Sequence, residues 1–152
     1  MRVPNNAMVL VADGRKMLFL RNSGDALAPN LTVEHAAEQD NPADRDQKTD
    51  QAGRAASTRG GGGFAAGGGT MGETDFHQQE EDRFAADAAE ILKKRALAND
   101  YESLIIIAPP KTLGELRKHY HKEVSDRLTG ELAKDLTGHP ILDIEKALIA
   151  AD

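Results

Sequence analysis

The sequence contains no cysteine and no tryptophan, and aromatic residues make up only 4% of its 152 positions. Without cysteine there is no disulfide bond and no thiolate metal site, which is compatible with a reducing cytosol. With so few aromatic residues, aliphatic side chains must build the interior. A chain of this length suits one domain with a single core of modest size.

No run of apolar residues approaches the roughly 18 positions that a bilayer-spanning helix needs. The first apolar run, residues 7–12, ends at Asp13 and is too short for the hydrophobic region of a signal peptide. We therefore expect a soluble, cytoplasmic protein that makes no contact with a membrane. The net charge of −6 also argues against DNA as a partner, because a protein that coats phosphates needs a local excess of lysine and arginine.

Glycine is the residue in excess, and most of it lies in the stretch GRAASTRGGGGFAAGGGTMG, residues 53–72. Because glycine loses more backbone freedom on ordering than any other residue, we predict a flexible Gly-rich loop over residues 39–74. This loop is either a recognition element or a plain connection. No lysine lies between Gln51 and Asp82, which excludes a P-loop, and the loose G-x-G-x-x-A match at Gly60 follows no strand.

The N-terminal part of the chain predicts three strands. Residues 7–12 and 16–21 are apolar and β-prone, and the Asp13-Gly14 pair between them is a strong hairpin signal. A third strand is expected over residues 31–36. One face of this third strand is predicted to carry Leu31, Val33 and His35.

The C-terminal half alternates helices with strands. A helix is predicted over residues 75–99, followed by residues 104–108, which are apolar at every position, as in a central strand covered on both faces. A capping box at residues 112–115 predicts a second helix, and Pro140 predicts a short last helix. Residues 126–136 suit either a last strand or a helix. The residues expected on the buried side of the second helix are Leu113, Leu116, Tyr120 and Val124.

This order of elements predicts one α/β domain over residues 1–152, with a mixed central sheet and flanking helices of the ribonuclease-H-like type. The Gly-rich loop lies inside this domain, between the third strand and the first helix. Exposed sheet edges in an acidic chain also allow a homodimer.

The second predicted helix carries the most basic group of residues outside the Gly-rich loop. Basic side chains interleaved with an aromatic ring are typical of proteins that bind single-stranded RNA through phosphate contacts and stacking. The alternative is a solvated basic face with Tyr120 in the core. The basic residues expected to contact RNA are Lys111, Arg117, Lys118 and Lys122.

Patterns for catalysis and metal binding are weak. His119 and Glu115 lie one helical turn apart but have no third ligand, and no arrangement of serine, histidine and acid is typical of a hydrolase. Asp13 and Asp100 are expected to act as turn and cap residues. The residues alone therefore predict no metal, no cofactor and no catalytic group, and they do not support enzyme activity.

Five segments carry a resemblance to a known family: AMVLVADGRKMLFLRN, the glycine runs near residue 60, DFHQQEEDRFAADAAEIL, LIIIAPPKTLGELRKHYHKEV and GELAKDLTGHPILDIEKAL. Together they resemble the bacterial host attachment protein family over nearly the whole chain, with APPKTLGELRK and KDLTGHP as the most specific parts. The family name refers to a proposed requirement for the attachment of plant-associated bacteria to host cells. The family is similar in turn to the middle domain of the archaeal and eukaryotic class-1 peptide release factor, which has a ribonuclease-H-like fold.

The release-factor resemblance implies a role for the Gly-rich loop. In the release factor a Gly-Gly-Gln tip enters the peptidyl transferase centre of the ribosome, whereas here no glutamine follows either glycine run. The resemblance therefore implies a non-enzymatic, translation-associated module that binds the ribosome or a structured RNA with a mobile loop. The alternatives are an adhesion-related protein of host attachment and a peptidyl-tRNA hydrolase. The loop residues expected at the binding site are Arg54, Arg59, Gly60, Gly61, Gly62, Gly63, Phe64, Gly67, Gly68 and Gly69.

Overall fold

The computed structural model describes residues 1–38 and 62–151, with side chains for residues 1–38 and 78–151. In these ranges it confirms a single α/β domain with a mixed sheet and helices. The strands are β1 (Met8–Ala12), β2 (Lys16–Asn22), β3 (Leu31–Glu38), β4 (Leu104–Ala108) and β5 (Leu128–Ala133). The helices are α1 (Gly62–Leu97), α2 (Pro110–Arg117), α3 (Lys122–Arg127) and α4 (Ile141–Ala150).

The described strands form one sheet in the order β3-β2-β1-β4-β5. The pairs β1–β2 and β2–β3 are antiparallel, and the pairs β1–β4 and β4–β5 are parallel. The prediction that β4 is the central strand is wrong, because β1 lies in the middle. Both strands are buried at every position, so an all-apolar strand indicates cover on both faces and not its place in the sheet.

The two faces of the sheet are covered by different helices. On one face α1, α2 and α3 contribute residues such as Leu92 and Leu116 to a core cluster that contains Phe19. On the other face α4 packs Ile144 against strand residues that include Ile105. The buried helix residues that the sequence predicted correctly are Leu113, Leu116 and Val124.

The hairpin between β1 and β2 forms at the predicted Asp13-Gly14 turn. One oxygen of Asp13, Oδ1, accepts hydrogen bonds of 2.7 Å from the backbone N–H groups of both Arg15 and Lys16. This side-chain acceptor satisfies turn donors that have no ladder partner. The predicted role of Asp13 as a turn residue is therefore confirmed.

A β-bulge in β3 separates residues that were predicted to share a face. Val33 pairs with Leu20 and His35 pairs with Phe19, so the register shifts between these two pairs. Leu31 and Val33 share one face, but the extra residue turns His35 to the other, where its ring centroid lies 5.7 Å from that of Phe19. The prediction failed because strict alternation holds only where no residue is inserted.

Helix α1 begins at Gly62, although the sequence predicts a loop as far as residue 74. Once a helix has nucleated, each added residue gains a backbone hydrogen bond, so extension costs less than a new start, even through glycine. The structure therefore assigns helical backbone to residues 62–74. Residues 39–61 of the predicted loop lie outside the described residues.

The single helix predicted from residue 112 is two helices in the structure. Helix α2 begins at Pro110, before the predicted capping box, because proline at the first helical position has the required φ and needs no N–H acceptor. The chain then breaks before α3, where the Nδ1 atom of His121 accepts a hydrogen bond from the backbone N–H of Glu123 at 3.0 Å. Residues 128–133, which suited either a strand or a helix, form β5.

Candidate functional site

Every residue of the predicted basic group on α2 and α3 lies beside a carboxylate. These lysine and arginine side chains are 56–82% exposed, and the N–O distances to their partners are 2.5–3.5 Å. Exposed ion pairs of this kind contribute little to stability, and their partners can be replaced by other ions, but they neutralise the charge of the surface. Among the described residues, this surface therefore has no local excess of positive charge. The pairs are Lys111–Glu81, Arg117–Glu131, Lys118–Glu115 and Lys122–Asp126.

Tyr120 belongs to the core and not to an exposed stacking surface. Its ring is partly buried against the cluster under α1, and its hydroxyl donates to the Oε2 atom of Glu131 at 3.4 Å. Burial is the main cause that raises the pKa of this phenol above its ordinary value, and the neighbouring Glu131 adds to the effect. The core role that the sequence offered for Tyr120 is therefore confirmed.

His119 pairs with a carboxylate on α1. Its Nε2 atom lies 3.2 Å from the Oδ1 atom of Asp82. This hydrogen bond is the main cause that lowers the pKa of the Asp82 carboxyl. Among the side chains that the structure describes, no group of three or more histidines and acids is placed to hold a metal ion.

The Asp82–His119 contact predicts a pH dependence of stability. A carboxyl whose pKa is lowered in the folded state stabilises the fold above its unfolded pKa of about 3.9 and loses that contribution as the pH falls through the folded value. We expect Asp82→Asn to be less stable than the wild type at neutral pH and to approach it below about pH 4. Urea unfolding at neutral pH and below about pH 4 measures the stability difference between the variant and the wild type. Asp126→Asn is the control, because Asp126 is an exposed acid that pairs with Lys122. A constant difference between wild type and Asp82→Asn would contradict the assignment.

The structure describes only part of the RNA site that was predicted in the Gly-rich loop. Six residues of the expected loop site lie in the first turns of α1, whereas the remaining four lie outside the described residues. The expected residues on α1 are Gly62, Gly63, Phe64, Gly67, Gly68 and Gly69. Those outside the described ranges are Arg54, Arg59, Gly60 and Gly61.

A polar cavity, which the sequence did not predict, lies where β1 and β4 begin. Its volume is about 590 Å³, and its walls come from the segments before these two strands, from β2 and β3, and from the end of α1. The periodicity of a strand indicates which apolar residues are buried, so it gives no sign of a polar cavity. Lining residues include Asn5, Asn6, Arg21, Asp100 and Glu102.

Arg21 joins these walls through all five of its N–H donors. It forms two hydrogen bonds with the Glu34 carboxylate, two with Asp100, and one with the carbonyl of Asn6. Burial lowers the pKa of Arg21, but the hydrogen bonds to the two carboxylates outweigh burial and raise it. The guanidinium is therefore fixed in place and neutralised by the two carboxylates, and it is not a free anion-binding group.

A second polar cluster lies beyond the carboxyl end of β1, at the other end of this strand from the cavity. The Thr137 hydroxyl lies 2.8 Å from Oδ2 of Asp13 and 3.0 Å from Oδ1 of Asp135. This contact ties the β1–β2 hairpin to the segment that follows β5. Because Thr137 is buried and both acids share its single hydroxyl, we assign the cluster a structural role.

Comparison with known proteins identifies the family of this chain. The sequence model of a protein family, the bacterial archaeo-eukaryotic release factor family 12, matches residues 6–148. The chain belongs to this family. Membership of family 12 confirms the predicted resemblance to release factors and suggests a role related to translation. The match does not address host attachment or a homodimer, and both stay predictions.

One curated relative of this family 12 chain is an uncharacterized protein of Rickettsia prowazekii strain Madrid E. The two are 41% identical over 61 residues, which cover 39% of this chain and 41% of the relative. The match therefore spans less than half of either protein. No helix in the described part of the chain is long and apolar enough to cross a membrane.

Proposed function

We propose that this protein binds the ribosome, or a structured RNA of the translation machinery, through the glycine-rich stretch at residues 53–72. The observation that carries the proposal is the match to a release-factor-like family over residues 6–148. The position of the glycine-rich stretch supports the proposal, because the second half of the stretch forms the beginning of α1, the longest helix described. The strand order β3-β2-β1-β4-β5 also supports a ribonuclease-H-like domain as the scaffold.

The proposed module acts in the cytoplasm and catalyses no reaction. No glutamine follows either glycine run, so the residue that completes the release-factor tip is missing. Glycine lets a backbone approach a narrow RNA cavity, and arginine at the base of such a stretch contacts phosphate. We therefore assign the main RNA contacts to Arg54 and Arg59.

The basic group on α2 and α3 has a secondary place in this proposal. A phosphate must compete with a carboxylate for each of these side chains, as for Arg117, whose guanidinium holds both oxygens of Glu131. Exchange of one anion for another gains little electrostatic free energy. Binding should therefore depend less on Lys111, Arg117, Lys118 and Lys122 than on Arg54 and Arg59.

Co-sedimentation with ribosomes across a salt series tests the proposal. We expect the double variant Arg54→Ala, Arg59→Ala to bind about tenfold more weakly and to lower the slope of log affinity against log salt by roughly one to two units. The matched control removes two exposed arginines on the folded body, Arg2→Ala and Arg15→Ala. If wild-type protein does not sediment with ribosomes, or both double variants bind like wild type, the proposed contact is wrong.

A further inference from the structure

The cavity at the start of β1 and β4 lies at the negative end of a helix dipole. Asn99 and Asp100, which line the cavity, close α1: the N–H of Asp100 donates to the carbonyl of Arg95, and the N–H of Asn99 donates to that of Ala96. This pair of bonds is a Schellman motif, and Asn99 takes its left-handed position with φ of 55°. The carboxyl end of a helix carries partial negative charge, so it favours a cation.

The charged side chains around Arg21 compensate one another. Glu34 and Asp100 face the guanidinium of Arg21, and Arg95 on α1 approaches the same two carboxylates at 3.2 and 3.6 Å. Two positive and two negative side chains thus form a closed network. The network fixes the shape of the cavity without adding net charge to it.

Among the residues that the structure describes, the remaining lining groups supply one negative charge without a counter-ion, and spare hydrogen-bond acceptors. Within the described residues, no hydrogen bond or ion pair reaches the carboxylate of Glu102, the hydroxyl of Ser103 or the side-chain amide of Asn6. The amide nitrogen of Asn5 donates to the carbonyl of Gly24, which leaves its oxygen available. In the described part of the chain, the cavity therefore combines the Glu102 carboxylate, which has no partner there, with several neutral acceptors.

We propose that this cavity binds a small organic cation with primary ammonium or guanidinium groups. The volume of about 590 Å³ is in the range of small-molecule sites. An ammonium or guanidinium group is donor-rich, so it matches the Glu102 carboxylate and the amide oxygens of Asn5 and Asn6. An anion is opposed by Glu102 and by the end of α1. This proposal does not depend on ribosome binding.

Two variants remove the ligand groups without touching the Arg21 network. Glu102→Gln keeps the shape of an exposed side chain and removes its charge. Asn6→Gly removes the amide, and glycine accepts the φ of 69° that Asn6 adopts. Asp143→Asn on α4, which packs on the opposite face of the sheet, removes one acid elsewhere and is the matched control for Glu102→Gln.

Isothermal titration with spermidine and argininamide at low salt tests the site, with AMP as an anionic probe. We expect one cation per chain and about a tenfold loss of affinity in Glu102→Gln, since a charge-assisted hydrogen bond contributes about 1.5 kcal/mol. Asn6→Gly should also weaken binding, and Asp143→Asn should bind like wild type. Absence of binding to wild type, equal losses in Glu102→Gln and Asp143→Asn, or tighter binding of AMP overturns the proposal. Ribosome co-sedimentation of Glu102→Gln should match wild type, so the two proposals fail separately.

Discussion

Asn22→Ala is expected to lower the free energy of unfolding by about 3 kcal/mol, because it leaves several polar groups without partners. The Asn22 side chain is fully buried at the end of β2. Its Oδ1 atom accepts from the backbone N–H groups of Gly24 at 2.9 Å and Asn30 at 2.8 Å. Its amide nitrogen donates to the carbonyl of Val3 at 2.8 Å. One side chain therefore holds both the N-terminal segment and the β2–β3 connection.

Urea denaturation measures this loss, and thermal melting should show a midpoint lower by about 6–12 °C in a domain of this size. Asn5→Ala is the control, because Asn5 is exposed and makes one side-chain hydrogen bond, to the carbonyl of Gly24. We expect that control to lose less than about 1 kcal/mol. Similar losses in the two variants would show that the buried bonds of Asn22 are replaced by water.

Arg21→Met is expected to lower the free energy of unfolding by about 2 kcal/mol, since it leaves two carboxylates facing each other without their main counter-ion. The Arg21 side chain is only 13% exposed, whereas Glu34 and Asp100 are 33% and 41% exposed. Water and Arg95 therefore compensate part of the loss. For this reason the expected value lies below that of a fully buried ion pair.

The matched control for Arg21→Met is Arg83→Met. Arg83 is 67% exposed and pairs with Glu80 across one helical turn. A surface pair of this kind contributes less than about 0.5 kcal/mol. Urea unfolding measures the loss of unfolding free energy in both variants. If the two losses are equal, the five hydrogen bonds of Arg21 do not hold together the segments that precede β1 and β4.

Local patterns predicted most elements of the fold correctly. The Asp13-Gly14 turn, the apolar strand at residues 104–108 and the helix that ends near residue 97 all depend on neighbours in sequence, so the sequence carries their signal directly. The break between α2 and α3 was missed because Leu113, Leu116, Tyr120 and Val124 keep their helical spacing across it. Periodicity does not show a short break that preserves the phase of the buried side.

The candidate sites were harder to predict because they depend on partners that are distant in sequence. The basic group was visible in the sequence, but its neutralisation was not, because Lys111 meets Glu81 and Arg117 meets Glu131 only after folding. Arg21 and Asp100, which form the cavity wall, are 79 positions apart. Neither residue belongs to a motif.

By itself, the sequence determined the kinds of element, the aliphatic core residues and the resemblance to release factors, since these follow from composition, local periodicity and conspicuous segments. Only the tertiary structure decided that β1 is the central strand, that a bulge turns His35 away from Val33, and that the amino ends of β1 and β4 enclose a polar cavity. The physical reason is the range of the interactions. Hydrophobic period and capping act within a few residues, whereas strand order, bulges and ion-pair networks are fixed by contacts that form when distant segments pack together.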